Sequence, residues 1–154
     1  MNSPELEYAG FWIRVWAALI DTALLCMLIL PILGVVYGRE YWTSTQLIHG
    51  PVDFLLSWIA PAIAVVLFWA ARQATPGKMA ISARIVDAKT GLKPTTGQLI
   101  GRYLGYFVAM IPLFLGILWV AFDPRKQGWH DKLAGTVVVR NKGGITEPVR
   151  FDGD

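Results

Sequence analysis

The sequence predicts an all-α integral membrane protein with two firm transmembrane helices, a bent third apolar segment and one small cytoplasmic β-strand pair, and three observations carry that prediction. Of 154 residues, 55% are hydrophobic and only 16% are charged, which is too apolar for an ordinary soluble domain of this length. The apolar residues gather into three runs of roughly membrane length. Basic residues cluster after the second and third runs and are almost absent between the first two.

The first run, Val15 to Tyr37, has 23 residues and would reach about 35 Å as a helix against a hydrocarbon core of roughly 30 Å. The residues before Trp12 include Glu5 and Glu7 but no Lys or Arg, and the run is longer than a signal-peptide core, so it is expected to stay in the mature chain. Its Cys26 is the one cysteine, which leaves neither a disulfide framework nor a thiolate metal site. The second run, Phe54 to Ala71, has 18 residues, just enough for a crossing, with Pro51 as a natural helix entry. Pro31 and Pro61 lie mid-run, and each frees the carbonyl four residues earlier, on Met27 and Ser57.

The third run, Leu99 to Phe122, carries Arg102 near its start and is divided by Pro112 into pieces too short to cross separately. Charge bears on its topology. Arg72, Lys78, Arg84, Lys89 and Lys93 follow the second run, whereas the loop from Gly38 to Asp53 has only Arg39 against Glu40 and Asp53. This asymmetry places the N-terminus and the end of the second run in the cytoplasm. Six more basic residues follow Phe122: three full crossings would leave seven inside and seven outside, and a returning third segment leaves thirteen and one. The sequence thus favours a re-entrant or interfacial segment over about 99–122, with a third full span as the alternative. Met79 to Val86 and Thr136 to Val139 read as strands, and they pair only if they lie on the same side. Pro76-Gly77 and the stretch Ala88 to Gly91 are turn signals, and Thr95 with Gln98 has capping-box spacing at the start of the third segment. Residues 1–8 and 141–154 read as flexible tails around a single membrane domain over 9–140.

Polar residues inside this apolar frame are the functional candidates. Arg14 and Asp21 stand seven apart, on one helical face and about 10 Å apart along the axis. Asp21 admits two readings: a packing carboxylate held by a neighbouring helix, or one that exchanges a proton or cation. Arg14, near Tyr8, Phe11, Trp12 and Trp16, reads either as a headgroup anchor in an aromatic belt or as a partner of the polar block at the end of the third segment. That block contains Asp123, Arg125, His130, Asp131 and Lys132.

Arg14, Asp21, the turn Ala74-Thr75-Pro76-Gly77-Lys78 and the block from Phe122 to Thr136 together resemble the RDD family of small membrane proteins, over roughly residues 9 to 140. The family is named for one arginine and two aspartates. The first two letters fall on Arg14 and Asp21, and the third on Asp131, in preference to Asp123. Ligand transport has been suggested for the family and sodium/proton antiport is attributed to some members. The resemblance therefore implies a cation or proton translocating module, homo-oligomeric, taking Na+, K+ or H+, with Asp21 as the exchanging carboxylate and an Arg14–Asp131 ion pair orienting the first helix. The competing expectation is a non-transporting scaffold or accessory that binds a partner membrane protein or lipid.

Other chemistries find little support. His49 and His130 fall on opposite sides of the predicted topology, so no shared metal site is expected. Neither a phosphate loop nor a nucleophile elbow is present, and neither an enzyme nor a cofactor is expected. The basic residues flank membrane segments and suit anionic lipid headgroups rather than nucleic acid. The expected location is a bacterial cytoplasmic (inner) membrane, with a multi-pass topology.

Overall fold

A computed structural model describes residues 6–141, 149 and 151. The element order is β1 (Leu6–Tyr8), α1 (Phe11–Tyr37), α2 (Arg39–Thr43), α3 (Pro51–Arg72), α4 (Pro76–Ala80), β2 (Ala83–Asp87), α5 (Thr96–Met110), α6 (Leu115–Leu118, continued by a tighter turn over Trp119–Ala121), α7 (Trp129–Ala134) and β3 (Thr136–Asn141).

Helices α1 and α3, of 27 and 22 residues, are each long and apolar enough to cross a membrane. Their flanks present bare side chains such as Met27, Leu28, Val35 and Leu67, an arrangement that hydrocarbon accepts and water does not. Both begin a little before the apolar runs, because Trp12, Arg14 and Asp53 adopt helical backbone ahead of the purely apolar stretch. Pro31 sits within α1 without ending it. In α3 the turn over Leu55–Ile59 widens to a π-turn just before Pro61, an accommodation to the N–H that proline lacks.

The third segment is bent. Helix α5 starts on the capping box predicted for it: Gln98 N donates to Thr95 Oγ1 at 3.2 Å, and Thr95 N donates to Gln98 Oε1 at 2.9 Å. After Met110 the chain turns through Pro112 and two left-handed residues, Leu113 (φ 52°) and Phe114 (φ 63°), and α6 leaves at 114° to α5. Gly116 makes the fold-back close, since a Cβ there would meet Ala109 Cα at 2.7 Å. The tip residues Ile111 and Leu113 are 80% and 86% exposed. Strands β2 and β3, which flank this segment, pair directly, so it begins and ends on one side of any bilayer crossed by α1 and α3. This geometry fits a re-entrant or interfacial wedge, while by length and composition the bent pair also passes as one broken span, so that the described residues hold two to three apolar segments of membrane length.

Two expectations need correction. The sheet has three strands in the order β1-β3-β2, both pairings antiparallel, not two. Leu6–Tyr8, assigned to a tail by the sequence, pairs with the end of β3, and Arg140 donates to the buried Glu7 at 2.5 Å. Three residues carry too little pattern for a strand to be read from them. The second correction is that Met79 and Ala80 are helical and β2 begins only at Ala83, because Pro76 follows Thr75 as a helix-starting residue. Of the tails expected over residues 1–8 and 141–154, Asn141 instead ends β3, and residues 1–5, 142–148, 150 and 152–154 fall outside the described residues.

β3 is the centre of the sheet end, and its two faces serve two layers, as strand alternation requires. Val138 packs with Ala9, Trp69, Ala83, Ile85 and Leu99, joining the C-terminal end of α3 and the start of α5 to the sheet. Val137 and Val139 pack with Tyr8, Val86 and Ala88 on the other face. Gln73, in left-handed backbone just past α3, is bonded in both directions to Ile85: Ile85 N to its carbonyl at 2.6 Å, and its side chain to Ile85 O at 2.8 Å. The span is thereby stitched to β2.

Candidate functional site

Asp131 is wholly buried at the start of α7 and collects donors from three parts of the chain. Its Oδ2 accepts from Arg14 Nη1 at 2.6 Å and from Gly128 N at 3.0 Å, and its Oδ1 accepts from Arg102 Nη1. Arg14 spends its remaining nitrogens on Ala9 O at 3.0 Å and Lys126 O. Arg102, also wholly buried, donates further to Thr136 Oγ1 at 2.8 Å, and its guanidinium carbon lies 5.4 Å and 5.8 Å from the ring centres of Trp69 and Tyr106. Burying two cations is costly unless a carboxylate and hydrogen bonds answer them; here one aspartate and two aromatic faces do so in part, and among the described residues Arg102 Nε and Nη2 have no hydrogen-bond partner.

Asp21 is held separately. Its Oδ2 accepts from Thr75 Oγ1 at 2.5 Å and its Oδ1 from Gly77 N at 2.7 Å. The turn that follows α3 thus reaches back onto α1. Gly77 permits this approach: a Cβ there would run into Ala17 O and sit 2.9 Å from the Asp21 carboxyl carbon. Asp21 also forms one end of a cavity of about 210 Å3 between α1 and α3, otherwise walled by Leu24, Leu25, Leu28, Pro61, Ala64, Val65, Phe68, Thr75 and Pro76.

The remaining residues of the predicted cluster surround the Asp131 knot in other roles. Asp123 accepts from Lys132 at 2.5 Å and from the backbone N–H groups of Arg125 and Gln127, both at 3.1 Å. Burial pushes its carboxyl up, but Lys132 and the two N–H groups outweigh this and hold it below the usual carboxylate range. Lys132 is half-exposed and lies over the Trp119 ring. Arg125 reaches Ala88 O at 2.5 Å and Tyr8 Oη at 3.4 Å, fastening the loop to the sheet. His130 is stacked on Tyr106, with ring centres 4.0 Å apart. Burial first, then Arg102, Arg14 and Lys78, push its imidazole far below its ordinary value, so it stays neutral. Burial likewise lowers the Lys78 ammonium, with Arg102 and Arg14 adding to the effect and Tyr106 and Asp21 opposing it.

The structure therefore brings Arg14 and Asp131 together, as the sequence led one to expect, and of the two candidate aspartates it is Asp131 that meets Arg14. Asp21 lies apart from that pair. Three participants escape the sequence reading. In the sequence Arg102 is only a topology charge, but it shares a helical face with Leu99, Gly105 and Ala109, all buried; a lone charge on an apolar stripe is the available signal. Thr75 and Gly77 read as a turn, with nothing local to say that the turn clamps Asp21.

A second polar knot lies at the far end of the spans. Asp53, 3% exposed, accepts from His49 N at 2.9 Å, His49 Nδ1 at 3.2 Å and Ser57 Oγ at 2.7 Å, and its own N–H donates to Tyr37 Oη at 3.2 Å. Among the described residues, no group of three or more His, Cys, Asp or Glu side chains is placed to hold a metal ion.

The chain belongs to the RDD family, which it matches over residues 8–135. It is 41% identical over 76 residues to the uncharacterized protein RP437 of Rickettsia prowazekii, covering 49% of this chain and 42% of that one, less than half of the relative's length. It is 30% identical over 144 residues to the uncharacterized membrane protein YteJ of Bacillus subtilis, covering 88% of this chain and 82% of the relative. The uncharacterized protein YxaI of the same organism is 30% identical over 147 residues, covering 85% and 96%. No solved structure matches the chain significantly. Family membership, the name of the Bacillus relative and the two apolar helices together make this a membrane protein.

Proposed function

We propose that this RDD-family chain is a non-transporting membrane scaffold, which holds two spans in a fixed relation so that their apolar flanks receive a partner membrane protein or lipid. The observation that carries the reading is how Asp21 is engaged. Both of its oxygens accept short hydrogen bonds, and the donors, Thr75 Oγ1 and Gly77 N, belong to the turn that ties α3 to α1. A carboxylate that trades cations has to release and regain its partners in each cycle; here release would loosen the contact between the spans. Asp131, the carboxylate that meets Arg14, is enclosed between two guanidiniums. The reading includes no catalytic step and no nucleic acid. It places the sheet and the N-terminus in the bacterial cytoplasm at the inner membrane, where exposed Arg72, Arg84, Lys89 and Lys93 would meet anionic headgroups.

A second reading keeps Asp21 as the exchanging carboxylate of a homo-oligomeric Na+, K+ or H+ translocator, and the observation in its favour is that Asp21 is only half-buried and lines a cavity. Two measurements separate them. Purified protein is placed in liposomes with a sodium or potassium gradient and an internal pH dye, wild type beside Asp21→Asn, while crosslinking in native membranes looks for a partner. The scaffold reading expects no ion-driven proton movement above empty liposomes and one dominant crosslinked partner. Movement by the wild type that Asp21→Asn abolishes would replace it with the translocator.

A further inference from the structure

We propose that the cavity between α1 and α3 binds a single-chain amphiphile with a protonated primary amine as its head, the ammonium on Asp21 and the alkyl chain along Leu24, Leu28, Pro61 and Phe68. This deepens the scaffold reading by naming the class of lipid-like ligand, and it depends on that reading only for an occupant entering from the bilayer.

The walls are almost wholly apolar and the volume is about 210 Å3, somewhat more than the roughly 150 Å3 of an apolar cavity that takes benzene. That is room for one alkyl chain segment. The polar end is Asp21, and both of its partners, a hydroxyl and a backbone amide, are neutral. Among the described residues no cation forms an ion pair with it, although Arg14 and Arg102 both do so with Asp131. A carboxylate offers about four acceptor positions; Thr75 and Gly77 take two, so two remain for further donors.

The chemistry of the remaining positions narrows the ligand. Sodium or potassium would have to bring water into a cavity with almost no polar wall, whereas an alkylammonium carries its own apolar body. A quaternary ammonium has no N–H to give and prefers a cage of aromatic faces, but Phe68 is the one aromatic among the lining residues. An anionic head would be repelled. A primary ammonium donates charge-assisted hydrogen bonds to a carboxylate and leaves its chain to the leucines.

The test uses the full chain in a neutral detergent and reads binding of dodecylammonium, dodecyltrimethylammonium and dodecanol by native mass spectrometry. The wild type is expected to prefer dodecylammonium over both others by on the order of tenfold, the worth of one charge-assisted hydrogen bond. Asp21→Asn should erase that preference, so that the three probes bind alike. Ala64→Leu, which fills the cavity and spares the carboxylate, should weaken all three probes. Equal binding of the three by the wild type overturns the proposal, as does undiminished preference in Asp21→Asn. Should Asp21→Asn not fold, unchanged dodecylammonium binding by Ala64→Leu overturns it equally. Failure here would leave the liposome and crosslinking results of the scaffold test untouched, so the two ideas fall separately.

Discussion

The two ends of the helical pair are both tied by buried aspartates, but over different distances in sequence. At the sheet end, Arg14 and Asp131 are 117 residues apart, Asp21 and Gly77 are 56, and Arg102 and Asp131 are 29. At the far end, Asp53 bonds His49 and Ser57, each four residues away, and its most distant partner is Tyr37 at 16. A local knot shapes a turn and the first turn of a helix. A long-range knot holds separate segments in one arrangement, and when it loses a member it strands charges that the chain has no other means to satisfy. The two ends should therefore respond to substitution very differently.

The largest effect expected from breaking the comparison is at Asp131. Asp131→Asn leaves Arg102 and Arg14 enclosed without a counter-charge, and removal of one partner from a buried pair costs about 3–5 kcal/mol. Unfolding in detergent micelles by heat or by a denaturing surfactant would measure it. Coupling should also be visible: Arg14→Gln with Asp131→Asn is expected to cost less than the two single losses added, by roughly 0.5–3 kcal/mol. Strict additivity would mean that the pair contributes nothing as a pair.

A pH effect comes next, and it too belongs to the sheet end. Burial holds the His130 imidazole well below its ordinary value of 6.5, so the folded chain leaves it neutral where the unfolded chain protonates it. The stability that depends on its neutrality is fully present above about pH 6.5 and falls as the pH drops below that, by about 1.4 kcal/mol per unit. Between pH 6.5 and 5 the loss should be about 2 kcal/mol, and His130→Phe, which keeps a ring against Tyr106, should remove that part of the slope. An unchanged slope in the variant would assign the pH dependence to other groups. Thr75→Val is a smaller lesion of the same end. It deletes one hydrogen bond to a charged acceptor, about 1.5 kcal/mol, and should loosen α4 from α1 without affecting the Arg14–Asp131 coupling.

The contrast between ends also governs what could be read in the sequence. The spans were legible because hydropathy is a property of the run itself, and the bend at Pro112 because proline acts on its own neighbours. The Arg14–Asp131 pair was legible only through concentration: a block dense in charge beside the membrane made a partner for Arg14 easy to name. Arg102 donates to Asp131 just as Arg14 does, yet a single arginine in an apolar run looks like a topology charge until its helical face is known to be buried. Thr75, Gly77 and the strand Leu6–Tyr8 were missed for a related reason. Each acts through a surface supplied by a distant segment, α1 in the first two cases and β3 in the third, and no local pattern announces such a surface.

Asp53 gives the smallest expected effect and the sharpest check on the comparison. It is as buried as many members of the sheet-end knot, so burial alone would rank its loss with theirs. Its partners argue otherwise. In Asp53→Ala the Ser57 hydroxyl can turn to a carbonyl of its own helix, and His49 keeps its place in the loop between the spans through its packing on Tyr37 and Tyr41. The expected cost is about 1 kcal/mol, that of a lost local helix-end interaction. Combined with Asp131→Asn, the two losses should add to within about 0.5 kcal/mol, as distant sites with no shared partner do. A larger departure would show that the two ends sense each other through the paired spans, and the division into a local knot and a long-range one would then fail as a description of how this protein is held together.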